Sequence, residues 1–100
     1  MRSEALYLSD ILEATRSLEI FLEGISKEEF VADDELRSSV AHKLIVIGEA
    51  ANHLSGALCV KYPDIPWQDI IDNRNIIVHG YFIIDWGNMR FRCKNKFSRY

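Results

Sequence analysis

Apolar side chains in this chain recur at steps of three and four residues, and no stretch alternates with the period of two that a half-buried strand requires. Between residues 4 and 23 the apolar positions are Leu8, Ile11, Leu12, Leu18, Phe21 and Leu22, one stripe of a helix. Glu4, Asp10, Glu13, Arg16, Glu19 and Glu23 fall mostly on the other side. Gly24 is a natural stop, because glycine accepts the left-handed conformation that follows a helix. Ser26 and Glu29 then have the spacing of a capping box opening a turn that carries Phe30 and Val31. Asp33 or Asp34 caps a longer helix, expected over 34–60, with the stripe Leu36, Val40, Leu44, Ile47, Ala51, Leu54 and Leu58. Val46, Ala50 and Ala57 are expected to widen its buried face. Gly48 costs this helix about 1 kcal/mol of propensity, which points to a close helix approach. Tyr62-Pro63-Asp64-Ile65-Pro66 is a break, and Pro66 suits the first turn of a third helix carrying Trp67, Ile70, Ile71, Ile76 and Ile77. Asp85 is placed to cap one more segment, starting at Trp86.

The fold class that follows is all-α, a small antiparallel helical bundle. One hundred residues make one domain, read as a helical bundle over 1–87 and a basic tail over 88–100. The apolar helix faces, with Trp67 and Phe82 expected at the surface, predict further burial in a homodimer. No apolar run approaches a membrane span, and the charged start does not read as a signal peptide. The two cysteines, Cys59 and Cys93, form no disulfide framework and fit a reduced, cytoplasmic protein. Charge is divided unevenly: residues 1–87 hold 15 acidic and 7 basic side chains, a net −8, and residues 88–100 carry +5. The body is therefore not a general nucleic-acid binder, while the tail is suited to phosphate or an acidic partner if it is not simply solvated.

The segment richest in chemistry is Asp72-Asn73-Arg74-Asn75-Ile76-Ile77-Val78-His79-Gly80-Tyr81-Phe82, with an R-x4-H-x-Y pattern in Arg74, His79 and Tyr81. An arginine among apolar neighbours needs a carboxylate or phosphate to meet it. Asp72 and Asp85 are available carboxylates. On a regular helix Arg74 and His79 stand about 140° apart, whereas Arg74 and Tyr81 return to within about 20° of one face. Either the helix ends near Val78, with Gly80 permitting a bend, or His79 works with the arginine of another protomer. Such a set suits RNA cleavage without metal. The 2′-hydroxyl attacks the neighbouring phosphorus, the arginine holds the phosphoryl oxygens, and the histidine moves protons. One histidine cannot be base and acid in the same step, and a two-fold dimer would bring two copies of His79 into one cleft. The plain structural alternative is that Arg74 and His79 only pair with carboxylates or cap carbonyls.

The sequence resembles the HepT-like proteins of the HEPN superfamily, the toxin halves of HEPN/MNT toxin–antitoxin pairs. The likeness rests on Arg74-Asn75-Ile76-Ile77-Val78-His79-Gly80-Tyr81, on Leu44-Ile45-Val46-Ile47-Gly48-Glu49-Ala50-Ala51, on Ile65-Pro66-Trp67 and on Ile84-Asp85-Trp86, and runs from about residue 4 to residue 86. The resemblance implies a dimerising helical bundle and a metal-independent ribonuclease site in the cleft between protomers. Arg74 and His79 would carry that site, with Asn75 as a polar helper. It further implies an MNT-type nucleotidyltransferase antitoxin that transfers AMP from ATP onto Tyr81, placing charge and bulk beside Arg74. The chain departs from the family after Trp86, where relatives continue with an amphipathic helix and this chain is basic. A second reading is therefore a non-catalytic helical partner of a nucleotidyltransferase.

Other groupings are weaker. His42, Glu49 and His53 share one stripe of a helix and read as a polar ridge, or a simple Glu49–His53 pair, ahead of a metal site. Cys59 reads as a small core residue, and Cys93 has basic neighbours. There is no phosphate-binding glycine loop, so neither ATP nor another cofactor is expected on this chain.

Overall fold

The computed structural model describes residues 3–87. The tail 88–100, Cys93 and the body of the segment expected from Trp86 lie outside the described residues. Helix α1 spans Glu4–Leu22, α2 Lys27–Ala32, α3 Asp34–Asn52, α4 Gly56–Lys61 and α5 Trp67–His79, and a 3-10 turn follows at Tyr81–Ile83. The described residues contain no strand.

The start and stop signals act where the sequence places them. Ser3 caps α1 by accepting from the Leu6 amide. Gly24 takes a positive φ of 71° and turns the chain. Ser26 and Glu29 form the capping box of α2, with the Glu29 amide donating to Ser26 Oγ at 3.1 Å. Asp33 caps α3 through the Leu36 amide at 3.0 Å. Each cap satisfies amide donors that a helix start leaves open, and is worth about 1 kcal/mol.

Helix α3 is the centre of the bundle, packing on α1 along one side and α5 along the other. Val40, Ala41, Leu44, Ile47 and Ala51 from α3 form the core with Ala14, Leu18 and Leu22 of α1, Phe30 of α2, and Ile70 and Ile77 of α5. Three expectations for the stripes change, the first being Ile76 of α5, which is exposed. Leu12 is half-exposed and its place is taken by Ala14 and Thr15. The hydroxyl of the buried Thr15 is satisfied by donating back to the Ile11 carbonyl at 2.8 Å. Ala57 is exposed and widens no buried face.

The single helix expected over 34–60 is two helices. It breaks after Asn52, where Leu54 remains buried and Ser55 opens α4 by accepting from the Leu58 amide. The Ser55 amide is taken up by the carboxylate of Glu4, 51 residues earlier in the chain. Those hydrogen bonds to Ser55, backbone first and then side chain, hold the Glu4 carboxyl below its ordinary value. The break is thus stabilised by a contact across the fold that periodicity does not register. The second break, at Tyr62–Pro66, is as expected. Trp67 is half-buried rather than exposed, because its indole N–H donates to the carbonyls of Tyr62 and Cys59, at 3.1 and 3.2 Å. Cys59 is itself only half-buried.

Gly48 is the point of closest approach between α3 and α5. A methyl group there would overlap Arg74 Cβ and stand 2.8 Å from Arg74 Cγ and 3.3 Å from the Ile70 carbonyl oxygen. Those atoms lie at the root of a side chain and on the backbone, so the helices themselves would have to part. We expect Gly48→Ala to destabilise the bundle by about 1–2 kcal/mol, overpacking outweighing the propensity gained. Gly56→Ala, whose added methyl meets nothing within 4 Å, should not destabilise. Thermal unfolding of the two variants checks this, and equal melting temperatures would remove the close approach as the reason for glycine at 48.

Candidate functional site

Helix α5 carries the R-x4-H pattern and runs antiparallel to α3. Arg74 lies against Gly48, while Tyr81, seven residues further on, places its Oη 3.5 Å from Ser38 Oγ near the start of α3. The sequence around Arg74 explains its position. Ile70 and Ile77 are buried and fix the inner face of α5, and Asn73 is buried with them. Arg74 follows at the edge of that face, so its stem packs over Gly48 while its head reaches the surface.

The Arg74 guanidinium meets two acceptors. Its Nη2 forms an ion pair with Glu49 of α3, and its Nη1 donates to Asn75 Oδ1 at 2.8 Å. Its Nε is buried with no protein partner. The carboxylate on Arg74 is therefore Glu49's, from the neighbouring helix, and not that of Asp72 or Asp85; Asp72 accepts from Gln68 Nε2 at 2.9 Å. Side-chain exposures of 29% for Arg74 and 44% for Glu49 put the pair at the surface. Such a pair is screened, and a phosphate can compete for its donors.

His79 is the last residue of α5 and is exposed. Helical geometry persists up to it, and the chain turns only afterwards, with the Gly80 amide closing the helix onto the Ile76 carbonyl at 2.7 Å. The bend therefore does not fall between Arg74 and His79. The two side chains leave α5 about 140° apart and about 7.5 Å apart along its axis. Around His79 the surface is apolar, with Ile76 at 44%, Val78 at 45%, Ile83 at 85% and Phe82 at 100% exposure.

Tyr81 does not share a helical face with Arg74, because α5 has ended before it. Its ring stands edge-on to Trp86 at 5.4 Å, and Trp86 in turn meets Phe30 of the core and lies under Arg37. Ser38, beside the phenol, and Glu49, beside the guanidinium, are eleven steps apart along α3. That is about 16 Å along the axis. Tyr81 is thus a neighbour of the His79 end of α5, and an adduct on it would not lie beside the Arg74 of the same chain.

The polar ridge of α3 divides between separate contacts. Glu49 goes to Arg74, and the His53 ring stacks on Tyr7 of α1 at 4.7 Å with the planes 4° apart. No group of three or more histidine, cysteine, aspartate or glutamate side chains suited to a metal occurs among the described residues. Glu49 and His53 also line a surface groove of about 470 Å³ with Tyr7, Asp10 and Val46. A second groove, of about 550 Å³, is lined by Phe21, Ser38, His42 and Lys43. Among the described residues no helix is long and apolar enough to cross a membrane.

Comparison with known proteins decides the family. The profile of the family described as "Ribonuclease HepT-like" matches residues 11–97. This chain belongs to the HepT-like family. A protein of Methanocaldococcus jannaschii named "Putative RNase MJ1380" is 34% identical over 85 residues, covering 85% of this chain and 78% of the relative. One of Thermococcus cleftensis, "Probable ribonuclease HepT", is 34% identical over 84% of this chain and 76% of its own. One of Caldanaerobacter subterraneus, "Putative RNase TTE0752", is 33% identical over 86% of this chain and 77% of its own. No solved structure matches the chain. The HepT-like match reaches from the middle of α1 past α5, so it takes in both α3 and the Arg74–His79 segment.

Sequence reasoning singled out Arg74, Asn75, His79 and Tyr81 but did not connect Glu49 to Arg74. The available signal was Gly48 itself: a glycine marking close approach makes the next residue a candidate to touch whatever approaches. A double-mutant cycle on Glu49→Ala and Arg74→Ala, read by urea unfolding, should give a coupling below about 1 kcal/mol, as for an exposed ion pair. A coupling of several kcal/mol would mean that the guanidinium is locked away from any substrate.

Proposed function

We propose that this HepT-like chain is the toxin half of a HEPN/MNT toxin–antitoxin pair, a metal-independent endoribonuclease that acts in the cytoplasm as a homodimer. Arg74 holds the phosphoryl oxygens of the scissile linkage through its planar fork. One His79 takes the proton from the ribose 2′-hydroxyl as it attacks phosphorus. The second His79, charged, gives a proton to the departing 5′-oxygen. The products are a 2′,3′-cyclic phosphate and a free 5′-hydroxyl. Asn75 accepts from Arg74 and steadies it.

The observation that carries this reading is the regular course of α5 through His79, in a chain that belongs to a ribonuclease family. One helix sends the two groups in different directions, so a common phosphate is best reached from two copies related by a two-fold axis. The apolar residues that flank His79 supply a surface for that contact. The acidic body is unfavourable for RNA at long range, so the Arg74 cleft and the basic segment 88–100 must compensate, and binding should weaken with salt.

Tyr81 is the proposed acceptor of AMP from an MNT-type nucleotidyltransferase. Its phenol oxygen attacks the α-phosphorus of ATP, and pyrophosphate leaves. Tyr81 is 37% exposed, which leaves it accessible. Its position two residues beyond His79 makes the adduct an obstacle at the histidine end of the cleft, by charge and bulk.

The second reading, a non-catalytic partner of a nucleotidyltransferase, draws on the occupation of Arg74 by Glu49 and Asn75. RNA cleavage by purified protein separates the two. Arg74→Ala and His79→Ala should each lower cleavage by about 100-fold or more while the bundle stays folded. Cleavage by His79→Ala at the wild-type rate would remove the catalytic assignment. Mass spectrometry after co-expression with the nucleotidyltransferase should find AMP-sized increments on Tyr81 and none on Tyr81→Phe; increments elsewhere only would end the acceptor role.

A further inference from the structure

The contact between α3 and α5 holds a group that the proposed chemistry does not use. We infer that Glu49 is a positioning residue for Arg74, fixing the guanidinium in the orientation needed for phosphate; this rests on the ribonuclease reading above.

An arginine side chain is long and flexible. Four rotatable bonds allow its head to wander, and an exposed head loses that freedom only at an entropic cost. Here the stem is clamped first. Gly48 lets Arg74 Cβ and Cγ lie directly against α3, and a side chain at that position would push them away. Glu49, the next residue, then meets Nη2, while Asn75 accepts from Nη1 at 2.8 Å on the other branch of the fork. With both branches held and Nε buried, the plane of the guanidinium is set. Each terminal nitrogen carries two N–H groups, so one donor per branch remains for a phosphoryl oxygen.

The cost is charge. A carboxylate beside the guanidinium lowers the positive potential that attracts phosphate, so Glu49 weakens ground-state binding while it orders the donor. The ordering acts on the chemical step, while the added negative charge acts, in the opposite sense, on affinity. A residue that served only to hold α3 and α5 together would change stability and leave the balance of kcat and KM alone.

The test compares wild type, Arg74→Ala, Glu49→Ala and Glu49→Gln in one RNA cleavage assay with a single oligonucleotide, alongside their melting temperatures. Glu49→Ala should lose about 10–100-fold in kcat, with KM unchanged or lower and the melting temperature within a few degrees of wild type. Glu49→Gln, which keeps an acceptor of the same shape without its charge, should recover most of kcat. If wild type cleaves and Arg74→Ala does not, yet Glu49→Ala keeps its kcat or exceeds it, the positioning role is overturned and the ribonuclease reading stands. A Glu49→Gln variant as slow as Glu49→Ala also overturns it. If wild type itself cleaves no RNA, both fall together.

Discussion

The close packing of Arg74 on Gly48 is the contact on which the arrangement of this protein depends. It brings two helices together at a position where one has no side chain, and lets a charged residue lie with its stem inside the bundle and its head at the surface. An arginine set there without an acceptor would leave buried donors unmet. Glu49 and Asn75 accept from its two terminal nitrogens, and the buried Nε alone is left without a protein partner. The packing that holds α3 against α5 and the orientation of the one strongly basic group on α5 therefore have a common origin.

The far end of α5 is governed by a different constraint. Ile70 and Ile77 anchor the helix in the core, and the helix runs to His79 before Gly80 ends it. His79 thus closes the last turn of α5. It also stands among apolar side chains that the described fold leaves uncovered. Trp86, wedged between Phe30, Arg37 and Tyr81, fixes the turn that follows and with it the phenol. Guanidinium, imidazole and phenol thus occupy three levels of one helix–turn unit. In the proposed dimer, a second protomer lets the first two share a substrate.

Much of the fold was legible in local signals, and what was missed has a common cause. Gly24, the Ser26–Glu29 box, Asp33 and Pro66 each solve a problem of unsatisfied backbone or turn geometry within four residues, so they can be read in isolation. The buried stripe of α3 was equally plain. The break at Asn52–Ser55 was not, because apolar periodicity continues through Leu54 and Leu58 and the amide of Ser55 is satisfied by Glu4 from the other end of the chain. Leu12 and Trp67 each depart from the expected environment: small Ala14 and Thr15 take the buried positions of α1, and two backbone carbonyls accept from a half-buried indole. In the site, Arg74, Asn75, His79 and Tyr81 were visible as a motif. The partner of Arg74 was not, since it comes from another helix, and neither was the separation of Tyr81 from Arg74, since that depends on where α5 stops.

In the proposed reaction, catalysis needs a His79 from each of two chains. Two copies joined in one polypeptide by a flexible linker, with His79→Ala in only one copy, provide the most direct measurement. This tethered dimer should cleave RNA no better than one lacking both histidines. Retention of about half the wild-type rate, the value expected when two sites work independently, would show that each chain carries a complete site and would contradict it.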